Sequence, residues 1–184
     1  MFTTSTNKRI ILAFSGKRGV GKTLACDYLV NQHGFVKLSF SSKLKSMARS
    51  FYDFSPEDLF GETKEVNYKN YDWTPRDFMI KLGHFCRFWD PDYFINFLEF
   101  KSNLICIDDL RYVNEAEFLK CNHSDIIRIE RFESLNPYKT EIGDLSETAL
   151  DGYKFDYTIP QQNNQDKPSF YRAIGRILKD VKDK

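Results

Sequence analysis

Apolar and polar positions divide this chain into short buried runs separated by longer stretches of helical spacing. Ile10-Ile11-Leu12-Ala13-Phe14 is a continuous apolar run, the pattern of a strand covered on both faces. Leu24 to Val30 follows without Gly or Pro and predicts a helix that ends at Gly34. Residues 35–40 alternate well enough for a second strand, and Ser41 or Ser42 is placed to cap a helix from Lys43 to about Tyr52. Ser55-Pro56-Glu57-Asp58 predicts a short helix with Pro at its first position. Residues 61–73 read as an irregular surface excursion. Thr74-Pro75-Arg76-Asp77 has the residues of a capping box, and the helix behind it carries Phe78, Ile80, Leu82, Phe85 and Trp89. Asp90-Pro91-Asp92 predicts the start of a further helix through Tyr93, Phe94, Phe97 and Leu98. Leu104-Ile105-Cys106-Ile107 and Ile126-Ile127-Arg128-Ile129 predict strands, with a short helix over 114–120 between them. Residues 132–152 are polar, with Pro137, Gly143 and Gly152, and are long enough to hold a lid at about 132–150. Tyr157-Thr158-Ile159 predicts a last short strand, and an amphipathic helix begins near Ser169.

Strands alternating with helices predict an α/β fold of three layers, with a central parallel sheet between helices. On such a sheet ligands collect at the carboxyl ends of the strands. Residues 1–184 read as a single domain on this pattern, with no internal repeat.

The strongest chemical signal sits at the carboxyl end of the first strand. Gly16-Lys17-Arg18-Gly19-Val20-Gly21-Lys22-Thr23 matches the phosphate-binding loop pattern G-x-x-x-x-G-K-[ST] in full, between a predicted strand and a predicted helix. The glycines allow positive φ and close approach to an anion. Loop N–H groups and the helix N-terminus then point at phosphate oxygens. Lys22 neutralises charge on the β- and γ-phosphates, and the Thr23 hydroxyl is placed for Mg²⁺. Residues Gly16 to Leu24 thus form the expected ATP-binding set, with Lys17 and Arg18 adding positive charge.

Asp108-Asp109-Leu110-Arg111 follows another buried strand. An acid there can hold the Mg²⁺ shell or orient a nucleophile; the plainer alternative is a cap for the helix starting near Val113. Arg111, Arg128 and Arg131 lie at strand ends and at the root of the expected lid, where arginines stabilise the charge spread over a transferring phosphoryl group. Surface ion pairing is the bland alternative. Arg76 and Arg87 share one predicted helix, about three turns apart, and could grip a substrate phosphate. Of Phe85, Phe88, Trp89 and Tyr93, one could stack on a base, but most should be core. His84 reads as a partly buried polar residue.

Composition narrows the partners. A net charge of +1 on 184 residues gives no overall pull toward nucleic acid or a membrane surface. No apolar run approaches the ~20 residues of a membrane span, and the first nine residues lack the apolar centre of a signal peptide. Cys26, Cys86, Cys106 and Cys121 form no C-x-x-C pair, as expected of reduced thiols in a cytoplasmic protein.

Several segments together resemble a known family. Asp109-Leu110-Arg111-Tyr112-Val113-Asn114-Glu115-Ala116-Glu117 resembles the D-[VT]-R-[FY]-x-N-E-A-E segment of deoxynucleoside monophosphate kinases of tailed phages. Phe40-Ser41-Ser42-Lys43-Leu44-Lys45 resembles their stretch ending in P-[IL]-K. Pro75-Arg76 through Leu82-Gly83 resembles their R-x-x-[LM]-Q-x-L-G helix, and Ser146-Glu147-Thr148 with Phe155-Asp156-Tyr157-Thr158-Ile159 resembles their lid exit and last strand. Animal phosphomevalonate kinases share the outline. After Leu82-Gly83 this chain has His84-Phe85 where the family has Thr and an acid, and Tyr93 where it has Trp.

The resemblance implies a nucleoside-monophosphate-kinase-like fold, ATP with Mg²⁺, and transfer of the γ-phosphoryl group to a deoxynucleoside monophosphate. It places Lys22, Asp109, Arg111 and Arg131 in catalysis and Thr23 and Asp109 on the metal. Lys45, Arg76, Arg87 and Arg128 fall to the acceptor, within helices at about 43–100. The expected setting is the cytoplasm, that of a host if the source is viral, as a monomer or homodimer. Two alternatives stay open. One is a kinase of the same fold acting on a hydroxymethylpyrimidine in DNA; the other is a P-loop NTPase switch without a small acceptor.

Overall fold

The apolar run at the head of the chain forms β1 (Ile10–Ser15), buried at every position. The computed structural model describes residues 8–131, 145–161 and 167–184. β1 lies at the centre of a five-stranded sheet with β2 (Val36–Leu38), β3 (Leu104–Ile107), β4 (Asp125–Arg131) and β5 (Tyr157–Gln161), in the order β2-β3-β1-β4-β5. Every pairing is parallel. Ala13 is opposite both Ile107 and Ile126, so the chain leaves β1 and β3 side by side at the carboxyl end of the sheet.

The chain divides into two compact units, one of Met1–Ser39 with Glu99–Lys184 and one of Phe40–Leu98. In the first, Ile10, Leu12 and Phe14 face α1 (Lys22–His33) and α7 (Lys167–Asp183), meeting Ala25, Leu29, Phe170, Ile174 and Leu178. Ile11 and Ala13 alternate to the other face. There α5 (Val113–Cys121) packs on β4 and buries Ala116 and Leu119 completely. Helices on both faces are what a parallel sheet of continuous apolar strands requires. Each fully buried side chain such as Leu12 or Ile127 contributes about 2 kcal/mol.

The second unit holds α2 (Ser41–Phe51), α3 (Pro56–Phe60) and α4 (Pro75–Trp89). Its core is Ala48, Phe54, Leu59, Tyr68 and Met79, with Tyr52, Trp73 and Phe78 packed against it. Phe54 meets Tyr68 edge-on at 4.7 Å, and Tyr71 stacks on Trp73 at 4.9 Å. Ser55 with Asp58 and Thr74 with Asp77 make the two reciprocal capping boxes.

Five local expectations need correction, one of them His84, which is exposed rather than partly buried. Neither Ser41 nor Ser42 caps α2; both lie inside it, and Phe40 stands at the cap without a side-chain bond. Asp90-Pro91-Asp92 does not start a helix. The Asp90 carboxylate accepts the Asp92 N–H at 3.0 Å and the Asn96 amide at 3.3 Å, turning the chain into a single 3₁₀ turn at Ile95–Phe97. Residues 61–73 are not wholly superficial, since Tyr68 is buried in the aromatic core. Phe85, Phe88 and Trp89 are exposed rather than core, because α4 turns Pro75, Met79, Gly83 and Cys86 inward and the rings fall on the opposite side. Most of the stretch expected to form a lid, residues 132–144, lies outside the described residues; its end forms α6 (Leu145–Thr148).

Candidate active site

Between β1 and α1 the chain makes the glycine loop, and its shape depends on Gly16 and Gly21. Gly16 has φ +146°, and a Cβ there would lie 2.4 Å from the Ile129 carbonyl oxygen and 2.8 Å from Val20 Cγ2. Gly21, at φ +103°, stands at the cap of α1 and offers no side chain to its N–H groups. A twelve-residue helix therefore presents its positive end to whatever anion the loop holds. Val20 turns its side chain into the sheet core, so only its backbone is available to a ligand, while Leu24 is half-buried against that core.

Lys22 is 8% exposed and its ammonium donates to the carbonyls of Gly16 at 2.5 Å and Lys17 at 2.9 Å. Burial, and then the positive charge of Arg111, pulls its pKa from 10.5 to about 7. A polyphosphate beside it restores the charge. Nucleotide binding at pH 8 is therefore expected to take up a proton, and binding at pH 6, where Lys22 is already charged, to take up none. Calorimetry in buffers of different ionisation enthalpy at the two pH values measures the difference.

The Thr23 hydroxyl donates to Asp108 Oδ2 at 2.9 Å, linking the start of α1 to the end of β3. Lys37 on β2 lies 2.7 Å from the same oxygen and 3.5 Å from Asp27. Burial alone would lower the Lys37 pKa, but Asp108 and Asp27 outweigh it and the net direction is upward. Asp109 faces elsewhere and accepts the Ser39 hydroxyl at 2.6 Å. Thr23 and Asp108 supply hard oxygens side by side, the donor chemistry Mg²⁺ takes. Among the described residues, no group of three or more His, Cys, Asp and Glu side chains could hold a metal by itself. A Mg²⁺ ion on Thr23 and Asp108 would thus complete its shell with phosphate oxygens and water, as is usual for this ion.

Neither aspartate caps α5. Glu115, 1% exposed, reaches back from inside the helix and accepts the N–H groups of Arg111 at 3.0 Å and Tyr112 at 3.1 Å. Glu115→Ala is expected to cost about 2 kcal/mol in urea unfolding, because two buried donors lose their acceptor.

Arg111 turns across the loop. Its Nη1 donates to the Ser146 carbonyl at 3.2 Å, the Ser146 hydroxyl at 3.3 Å and Glu147 Oε1. Glu147 Oε2 accepts the Arg18 N–H of the loop at 2.8 Å. Burial would push this carboxyl up, but Arg111, the Arg18 N–H and Lys22 hold it below its ordinary range. The resemblance marks Ser146-Glu147-Thr148 only as the lid exit; the contacts of Glu147 with the loop lie far along the chain and no local pattern gives them.

Arg128, 9% exposed, is held by Asp151 at 2.9 Å and lies near the Ser15 hydroxyl at 3.4 Å and over the Phe155 ring at 5.4 Å. Arg131 ends β4, half-buried. In the second unit Lys45 lies over the Phe60 ring at 4.2 Å, Arg87 over the Phe94 ring at 4.6 Å, and Arg76 pairs with Glu65 at 2.9 Å. Within the first unit the structure brings Lys22, Thr23, Asp108, Arg111 and Glu147 together at the loop, while Asp109 is turned to Ser39.

A parallel sheet of this order, a glycine loop leading from its central strand into a helix with a buried Lys and a Thr, and an acid on the neighbouring strand make up the architecture of the P-loop kinases. A dephospho-CoA kinase from Campylobacter jejuni shares this fold at a TM-score of 0.50 and 14% identity, over 94% of this chain and 96% of that one. A shikimate kinase from Bacteroides thetaiotaomicron matches at 0.45 and 11%, over 94% and 98%. In sequence, the chain is 25% identical over 195 residues to a protein of Acanthamoeba polyphaga mimivirus described as "Putative deoxynucleotide monophosphate kinase". That alignment covers 90% of this chain and 94% of the viral protein. No protein-family model matches the chain. Among the described residues, no helix is long and apolar enough to cross a membrane.

Proposed function

We propose that this protein transfers the γ-phosphoryl group of ATP to a deoxynucleoside monophosphate, giving the diphosphate. The observation that carries this reading is the Thr23–Asp108 hydrogen bond beside the buried Lys22, which joins two hard oxygens from the start of α1 and the end of β3 next to a cation at the loop. The likeness to the viral protein supports the choice of acceptor. Loop N–H groups and Lys22 bind the β- and γ-phosphates, and Arg111 approaches them from the end of β3. Mg²⁺, held by Thr23, Asp108 and the phosphates, would withdraw charge from the transferring group. The monophosphate oxygen is already an anion at neutral pH, so alignment and charge neutralisation are the main demands. Lys45, Arg76 and Arg87 are the candidate contacts to the acceptor.

Transfer of radiolabelled γ-phosphate from ATP tests this. The acceptors are the four common deoxynucleoside monophosphates, their ribose counterparts, modified pyrimidine monophosphates, and DNA carrying hydroxymethylpyrimidines. Label in a diphosphate is the expected result. Label only in DNA, or only as free phosphate, overturns the assigned acceptor.

A further inference from the structure

We infer that Glu147 is a specificity-determining residue: its carboxylate stands in the loop as an internal substitute for a nucleotide phosphate and sets how much charge a ligand must bring to enter. The inference rests on the reading of the loop as a nucleotide site. Both oxygens are committed to groups that phosphate would use, the Arg18 N–H to Oε2 and the Arg111 guanidinium to Oε1. The side chain is 6% exposed, so these bonds are made in a dry setting where water competes poorly. Ser146 adds its carbonyl and hydroxyl to the same guanidinium nitrogen, which fixes Arg111 on α6.

An incoming phosphate meets like charge at the loop until Glu147 leaves. A ligand with one phosphate replaces one anion by another and gains little. A triphosphate engages the loop, Lys22 and the helix N-terminus together, and can displace the carboxylate. Its arrival also frees Arg111, so the guanidinium reaches the phosphates only once a polyphosphate is bound. Glu147 thereby selects triphosphate over shorter phosphates.

The test is calorimetric binding of ATP, ADP, tripolyphosphate and orthophosphate to the wild-type protein, Glu147→Gln and Glu147→Asp. Gln keeps the shape and removes the charge, and is expected to tighten ADP and orthophosphate about tenfold or more, with tripolyphosphate following ATP. ATP should gain less, so the ATP-to-ADP ratio narrows. Asp keeps the charge and should stay near the wild type. Unchanged or weaker binding to Glu147→Gln overturns the inference and makes Glu147 a structural support for Arg111. Lys22→Ala, measured alongside, separates the two levels: if it binds ATP as tightly as the wild type, the loop reading fails instead. Should Glu147→Gln not fold, the wild-type protein with ¹³C-labelled glutamate carboxyls gives the answer. Its Glu147 resonance should shift on saturation with tripolyphosphate, and an unmoved resonance overturns displacement.

Discussion

Lys22→Ala is expected to lower kcat for phosphoryl transfer by about a thousandfold or more and to leave the fold intact. The side chain is buried against the carbonyls of Gly16 and Lys17, so its charge is strong where the phosphates would lie. That placement costs stability. The folded pKa of about 7 lies below the unfolded value of 10.5. Between these values the unfolded chain holds the extra proton, so the contribution of Lys22 to stability rises with pH across the window and is least favourable below pH 7. Removing the side chain removes that burden. The thermal midpoint of Lys22→Ala at pH 7 is therefore expected at or above the wild-type value, and the difference should shrink toward pH 10. Undiminished turnover would remove Lys22 from the site; a folding defect would mean that its bonds to the loop carbonyls outweigh its desolvation.

The second large effect separates two adjacent acids. Asp108→Asn is expected to lower kcat about a hundredfold at limiting Mg²⁺ and to raise the Mg²⁺ concentration needed for half-maximal rate. Asp108 carries the oxygen shared by Thr23 and Lys37. Asp109→Asn should change kcat only a few-fold, because its carboxylate is engaged by Ser39. Kinetics of both variants against Mg²⁺ concentration decide the matter, and the opposite ranking would give the metal side to Asp109. Resemblance aligned the metal role with Asp109, whereas the geometry at Thr23 favours Asp108.

The difficulty with this pair shows what sequence can carry. Neighbouring residues at a strand end point to different sides, and choosing between them requires the pairing of β3 with β1. The loop needed no such knowledge, because its glycines, Lys22 and Thr23 act through spacing within a few residues. The caps at Ser55 and Thr74 were readable for the same reason. The strand run at Ile10 predicted burial on both faces and a parallel sheet, but not that β1 would be central. Glu147 was marked by resemblance as part of the lid exit, but its role was not readable, since it depends on two partners brought from distant parts of the chain. The rings of α4 show the opposite limit: aromatic residues on a helix are expected in the core, but the inward line runs through Met79, Gly83 and Cys86 and leaves Phe85, Phe88 and Trp89 exposed.

The order of strands also bears on how the protein is made. Both neighbours of β1, namely β3 and β4, are encoded after the Phe40–Leu98 unit. On the ribosome the first strand emerges long before either partner and waits as an unpaired apolar segment. Phe40–Leu98 is contiguous and has its own aromatic core, so it can condense during that interval. Its condensation shortens the effective loop that β1 and β3 must close, and so lowers the entropy cost of starting the sheet. Vectorial synthesis thus gives the Phe40–Leu98 unit time to condense before the sheet can close around β1.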